Sequence, residues 1–434
     1  MGDAPGSGPA IDSFTAASTT VLVGEGTELT AVFSGGTGVI VGIGPVQSGM
    51  PVVTPALART TTFMLAVSEG SQRAVAEVTV AAAYRDRFRA LTSSPDGRHD
   101  HVTMALPTGG ALIMGGNSTQ SINTPDTDAT LRFDPVAETF SPGPTLAFSA
   151  MAEGFTLPAP LPGGGILLTG GGINSGTELG GVDGSRATQV FDDAAGAFHR
   201  VGDLSSRHRS GAVAVLGDGS VFVSGGETPS VPVTAAERYD PSSGQWTAAG
   251  DMGTARRGHT ATALQDGRVL LVGGCCDATG QALLGTAEIF DPVHGGFQPT
   301  GSLATARAFH TATLLPDGRV VITGGFDDFA GTTASVEIFD PATGRFEPGG
   351  ALQAPRTLHS AILLTDGRVL VLGGQTASEA TDVFDPAADH WDIGPALQPA
   401  SKLPTATLLS NGKVLVFGGE DAGGFPVSTA FLYE

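Results

Sequence analysis

The sequence predicts an all-β protein: a β-propeller of seven four-stranded units preceded by a small β-sandwich. Three observations predict it. A Gly-Gly pair closes an apolar run seven times, starting at Gly115, Gly170, Gly225, Gly273, Gly324, Gly373 and Gly418, at intervals of 45 to 55 residues. A repeat of about 50 residues is the period of a propeller in which one sheet recurs. The composition supplies turns and cores together, with 64 Gly, 28 Pro and 41% hydrophobic residues against 15% charged in 434, and no apolar run approaches the roughly 18 to 20 residues of a membrane-crossing helix. Finally, the residues before 84 lack the glycine pair and carry short β-forming runs between Gly, Ser and Pro.

The elements follow in chain order. Residues 1–8 form a flexible Gly, Ser and Pro tether with no basic n-region or apolar h-region of a signal peptide. Residues 9–83 hold seven β-forming runs, at 11–14, 20–23, 28–33, 38–41, 51–53, 61–67 and 75–80. Seven short strands in so few residues predict a small sandwich, without the Cys and Trp of antibody domains. Residues 84–434 are the propeller. Its fifth unit reads most plainly: His310 opens an apolar strand, Asp317-Gly318 turns it, a second strand runs to Gly324, a third ends at Phe339-Asp340-Pro341, and a fourth carries Phe346.

Asp-Gly between apolar runs predicts a two-residue hairpin with both residues at positive φ, and it recurs at Asp218, Asp266, Asp317 and Asp366, with Asn411-Gly412 as its equivalent. Phe-Asp-Pro recurs at Asp134, Asp291, Asp340 and Asp385, where proline stops the strand because it cannot donate to a ladder. Pro158, Pro160 and Pro162 predict an irregular second unit. An aromatic residue stands ten residues before the next unit's opening arginine, as in Trp246 to Arg256, Phe297 to Arg307 and Phe346 to Arg356. Phe88 to Arg98 has the same spacing without earlier strands, and the last unit ends after its third strand at Phe431-Leu-Tyr433-Glu434. The strand around Phe88 is therefore expected to complete the last unit and close the ring.

Charge narrows the partners. The net charge is −21 and only Lys402 and Lys413 are lysines, so a phosphate backbone is repelled and nucleic acid is excluded. Cations, sugars and basic peptides are compatible. Cys275 and Cys276 are adjacent and cannot staple distant segments. Nucleophile-elbow, zincin and phosphate-loop motifs are absent, and the Gly-Gly-Gly at 163–165 falls in a hairpin turn. No loop has the spaced oxygen ligands of an EF-hand.

With these repeats, the chain resembles bacterial kelch-repeat proteins of the galactose-oxidase-like superfamily over about four fifths of its length, and its first 83 residues resemble immunoglobulin-like modules of bacterial surface proteins. The resemblance implies a seven-bladed kelch β-propeller preceded by a small immunoglobulin-like β-sandwich. It leaves function open, because kelch propellers include oxidases, isomerases, sugar binders and peptide adaptors. Radical copper oxidases of the superfamily need two tyrosines, one joined to a cysteine, and two histidines. Here Tyr239 and Tyr433 occupy the third-strand aromatic position and Tyr84 lies in the linker, so galactose-oxidase chemistry is not expected. The tether resembles the segment after the acylated cysteine of bacterial lipoproteins, which implies an extracellular, periplasmic or cell-surface protein, read here as a monomer.

Fourteen residues before each glycine pair stand His101, Thr156, Gly211, His259, His310, His359 and Pro404. In peptide-binding kelch propellers this position faces the central pocket, on the side of the loops that follow the glycine pairs. The resemblance thus implies that His259, His310 and His359 converge near the axis, where three imidazoles could hold a transition metal with an open position. A second reading stands beside it: within the phrase Arg-x-x-His at Arg98, Arg256, Arg307 and Arg356, histidine is a repeat consensus whose ring bonds its neighbours. The same face gathers acidic loops carrying Glu227, Asp277, Asp327 and Glu420, with Arg257 and the cysteine pair nearby. The candidate ligand residues are His101, His259, His310, His359, Arg257, Glu227, Asp277, Asp327, Glu420, Cys275 and Cys276. The cysteines have three readings: packed thiols, a soft-metal pair beside His259, or a vicinal disulfide. The expected function is a secreted or surface-anchored bacterial binding protein that recognises a glycan or peptide on the loop face. The alternative is a metal-dependent oxidoreductase, isomerase or lyase at the mouth of the axial channel.

Overall fold

Short runs of Val, Ile, Leu and Phe separated by Gly, Asp and Pro suit strands and turns, and no described residue is helical. The computed structural model describes residues 8–92, 96–117, 128–147, 156–170, 186–228, 231–275, 282–327, 331–376 and 378–434. Among them no helix is long and apolar enough to cross a membrane. Two units separate by their contacts: Met1–Arg87 with 410–413 and 433–434, and Phe88–Leu409 with 414–432.

The first unit has two sheets. One pairs Ala10–Ala16, Glu28–Ser34 and Pro51–Val53; the other runs in the order Thr20–Leu22, Gln72–Ala83, Thr61–Glu69, Thr37–Ile40, Gly44–Val46. Alternation sets the faces, with Phe63, Leu65 and Val67 buried from one sheet and Leu29 and Ala31 from the other. Gly44–Val46 is a strand the sequence conceals. It is an edge strand, where Pro45 forfeits no ladder bond that the sheet needs.

Among its described residues the second unit contains seven four-stranded antiparallel sheets. The fourth sheet is representative: Thr260–Ala263, Val269–Val272, Thr286–Phe290 and Phe297–Ser302. The seven first strands begin at Val102, Thr156, Ala212, Thr260, Thr311, Ser360 and Thr405, and each lies beside the next in a cycle that returns from the seventh to the first. The seventh sheet takes its outer strand, Phe88–Ala90, from the start of the unit, next to Ala430–Tyr433.

Second strands are buried on both faces and read as unbroken apolar runs. Their alternate residues feed opposite seams: Val320 and Ile322 pack with Leu270 and Val272 of the fourth sheet, while Val321 packs with Val369 and Val371 of the sixth. Each such side chain contributes about 1.5–3 kcal/mol through burial. Every sheet also pairs an aromatic ring on its third strand with one on its fourth. Centroids are 4.9 Å apart for Phe339–Phe346, 5.3 Å for Tyr239–Trp246 and 6.4 Å for Phe431–Phe88.

Two local expectations change. In the Asp-Gly turns only the glycine has positive φ, as at Gly219 and Gly267, while the aspartate side chain accepts the amide two residues on, as Asp218 does from Ser220. Leu216 accepts from Gly219 and donates to Ser220, so the loop is one residue longer than a two-residue hairpin and closes with a bulge. The second sheet is regular where it was expected to be irregular. Thr156–Pro160 pairs residue for residue with Ile166–Gly170, because Pro158 and Pro160 share one parity on an edge strand and can turn their missing donors to its open side.

Candidate functional site

The glycine pairs and the histidines explain one another. A Cβ on Gly225 would lie 2.6 Å from Cε1 of His259, on Gly273 2.9 Å from that of His310, on Gly324 2.9 Å from that of His359, and on Gly418 2.7 Å from that of His101. Each histidine is therefore a wedge over the first glycine of the preceding sheet. Its Nε2 shares a hydrogen bond with a hydroxyl of that sheet: His101 with Thr405 (2.8 Å), His259 with Ser224 (3.0 Å), His310 with Thr260 (3.1 Å) and His359 with Thr311 (3.0 Å). The four Nδ1 atoms are buried without a hydrogen bond. Burial first, and a neighbouring arginine second, pushes the imidazoles of His101, His310 and His359 down to about 3 and that of His259 well below its usual value. They are neutral near pH 7. The expectation that His259, His310 and His359 turn toward a common ion is not met, because each ring is seated in a different seam. Among the described residues no three His, Cys, Asp or Glu side chains gather as a metal site.

The arginine of the repeated phrase holds the segment that enters the sheet. Nη1 of Arg256, Arg307 and Arg356 donates to the carbonyl of the first glycine of its own sheet, and Nη2 to a third-strand carboxylate, Glu288 (2.7 Å), Glu337 (3.0 Å) or Asp382 (3.0 Å). These carboxylates also accept backbone amides such as those of Gly253, Ala304 and Gln353. In the third sheet His208 replaces arginine, meeting Gly225 O and Glu237. The sequence reading missed these carboxylates, although Glu288 and Glu337 stand three residues before the aspartate of Phe-Asp-Pro.

Immediately before the wedge position the chain turns left-handed in each described sheet entry. Asp100, Ser210, Gly258, Phe309, Leu358 and Leu403 have φ between 53° and 60°. Glycine reaches this region freely and Asp with little cost, whereas Phe and Leu rarely enter it. These six residues line a cavity of about 370 Å3 at the centre of the sheet cycle, together with the four histidines and with Leu157, Ser360 and Thr405. Nothing in residue type marks them in the sequence.

The predicted loop-face residues follow the glycine pairs, in segments that bridge to the chain entering each sheet. Glu227 is clamped between Arg209 (3.0 Å) and Arg257 (3.1 Å). Glu420 faces His99 at 3.4 Å, and His99 also meets Asp100 at 2.9 Å. Asp327 is buried, paired along the backbone with Gly331. Cys275 is buried and pairs through its backbone with Arg257. Cys276 and Asp277 lie outside the described residues.

The family model described as Kelch motif matches residues 208–253 and 307–353. The chain carries kelch motifs. The matches cover the third and fifth sheets with their entering segments, where His208 and Arg307 bind the glycine carbonyls. No curated protein sequence matches the chain. Among solved structures, one titled "Novel fungal alcohol oxidase with catalytic diversity among the AA5 family, in complex with copper" is similar, with a TM-score of 0.64 and 16% identity over 80% of this chain and 76% of that one. Together these describe a kelch, galactose-oxidase-like β-propeller. A copper centre of the superfamily's kind does not fit the residues present. Among the described residues neither a tyrosine nor a cysteine lines the kelch unit's cavity, and the lining histidines spend Nε2 on hydroxyls of neighbouring sheets.

Proposed function

We propose that the second unit is a seven-bladed propeller, that the first is an immunoglobulin-like sandwich, and that the protein is a secreted or surface-anchored bacterial binding protein. It recognises a glycan or peptide at the axial cavity on the loop face. One observation carries this reading: Phe309, Leu358 and Leu403 keep left-handed backbone around the cavity, and Leu358 is 41% exposed. Bulky side chains held there cost roughly 1–2 kcal/mol each, a cost that persists where the surroundings and a function over-determine it. The cavity lies within the usual range for small-ligand sites, about 300–1,000 Å3.

Glycan and peptide arrays probed with the full chain test the proposal, with Leu358→Asn as the site variant. Asparagine tolerates left-handed backbone, so the variant folds and takes the apolar side chain from the wall. Ligands retained by the native chain and lost by the variant support the reading. Array ligands that bind both equally, or an array with none, overturn it.

A further inference from the structure

Resting on that reading, we propose that the group entering the axial cavity is the side chain of a lysine in a basic peptide. Around the ring, Phe309 of the fifth sheet, Leu358 of the sixth and Leu403 of the seventh stand in succession, and the next member is Asp100 of the first. An unbroken apolar arc thus ends in a carboxylate. This is the complement of a lysine, whose four methylenes lie along apolar surface while the ammonium reaches a polar end.

The charge balance of the cavity has one sign. Among the described residues Asp100 is its only acidic lining residue, and no arginine or lysine lines it. Its side chain is 39% exposed, Oδ2 meets His99, and Oδ1 takes no hydrogen bond among the described residues. The four lining histidines are neutral at pH 7 and add no competing cation. Of the cations in the entering segments, Arg209 and Arg257 share Glu227 at the third and fourth sheets. Lys402 directs Nζ to the carbonyl of Ala422 at 3.4 Å. A carboxylate ligand would meet Asp100 and be repelled, and a neutral apolar group would leave that carboxylate to be desolvated without a partner.

The probe is the blocked pentapeptide acetyl-Gly-Gly-Lys-Gly-Gly-amide, compared by calorimetry and saturation-transfer NMR with counterparts carrying norleucine or glutamate in place of lysine. The lysine peptide is expected to bind tightest, with saturation strongest on the lysine methylenes. Asp100→Asn preserves the left-handed turn and is expected to lower affinity about tenfold, as loss of a hydrogen bond to a charged group does. Phe309→Ala should weaken it without changing the preference for lysine over norleucine. Equal binding of norleucine, an unchanged affinity in Asp100→Asn, or no binding of the lysine peptide at about 10 mM overturns the assignment. If that happens while a glycan from the arrays binds and is lost with Leu358→Asn, the lysine falls and the binding reading stands; with no ligand of either kind, both fall.

Discussion

Leu358 and Leu403 hold a backbone conformation that asparagine accepts more readily. Replacing either by Asn is therefore expected to stabilise the fold by about 1 kcal/mol while weakening ligand binding, a trade read from paired melting and binding measurements; unchanged or lower melting temperatures would show that the left-handed turns carry no strain. The buried histidines give a second test at this scale. The folded values of His101, His310 and His359 lie near 3 against 6.5 when free, and that of His259 is lowered as well, so below pH 6.5 the unfolded chain binds protons that the folded chain does not, and stability falls as pH drops toward 3. Each histidine contributes a slope of up to about 1.4 kcal/mol per pH unit. Between pH 6.5 and 5, where exposed carboxylates remain charged, urea midpoints should fall steadily, and His310→Thr, which copies Thr156 of the second sheet, should reduce the slope by one histidine's share. The histidine column is visible in the sequence because residue type repeats with the glycine pair. The left-handed ring is hidden because Asp, Ser, Gly, Phe and Leu share a conformation and not a composition.

At the level of the sheet, the repeated arginine and carboxylate form a buried pair whose halves do not stand alone. Arg307→Met leaves Glu337 buried beside two backbone amides without its cation, and a loss of about 3–5 kcal/mol is expected. Adding Glu337→Leu should not restore stability, because the amides of Ala304 and Thr305 then lose their acceptor; full recovery in the double variant would reduce the pair to simple charge compensation. Strand order and aromatic pairing are legible in the sequence because each follows from a local run, such as Glu337-Ile-Phe-Asp340. The hairpin turns are less so, since Asp-Gly suits two loop lengths and only the bonds of Leu216 distinguish them. Gly44–Val46 escapes notice because Gly-Pro normally signals a break.

For the whole molecule, the outer strand of the seventh sheet is the point of vulnerability. Phe88–Ala90 covers Ala430–Tyr433, with Leu91 N donating to Ala430 O at 2.9 Å. Deletion through residue 92 exposes that strand as an open edge, so this truncation should aggregate or melt many degrees below one that stops at residue 80. Equal melting of the two would remove the strand from any closing role. The wedges carry a further consequence for how such a ring grows. Knob and socket belong to neighbouring sheets, so a single copied sheet brings half of two interfaces and is satisfied only with a neighbour on each side, the head-to-tail logic of a heterologous assembly. Three junctions lack the imidazole, with Thr156, Gly211 or Pro404 in its place. Gly211 follows Gly170 without a ring between them, and the nearest atoms to a Cβ on Gly170 lie 3.6 Å away. A duplicated sheet spliced between the second and third would displace neither a histidine nor a proline, which makes that junction one place where the repeat number of this chain is free to change.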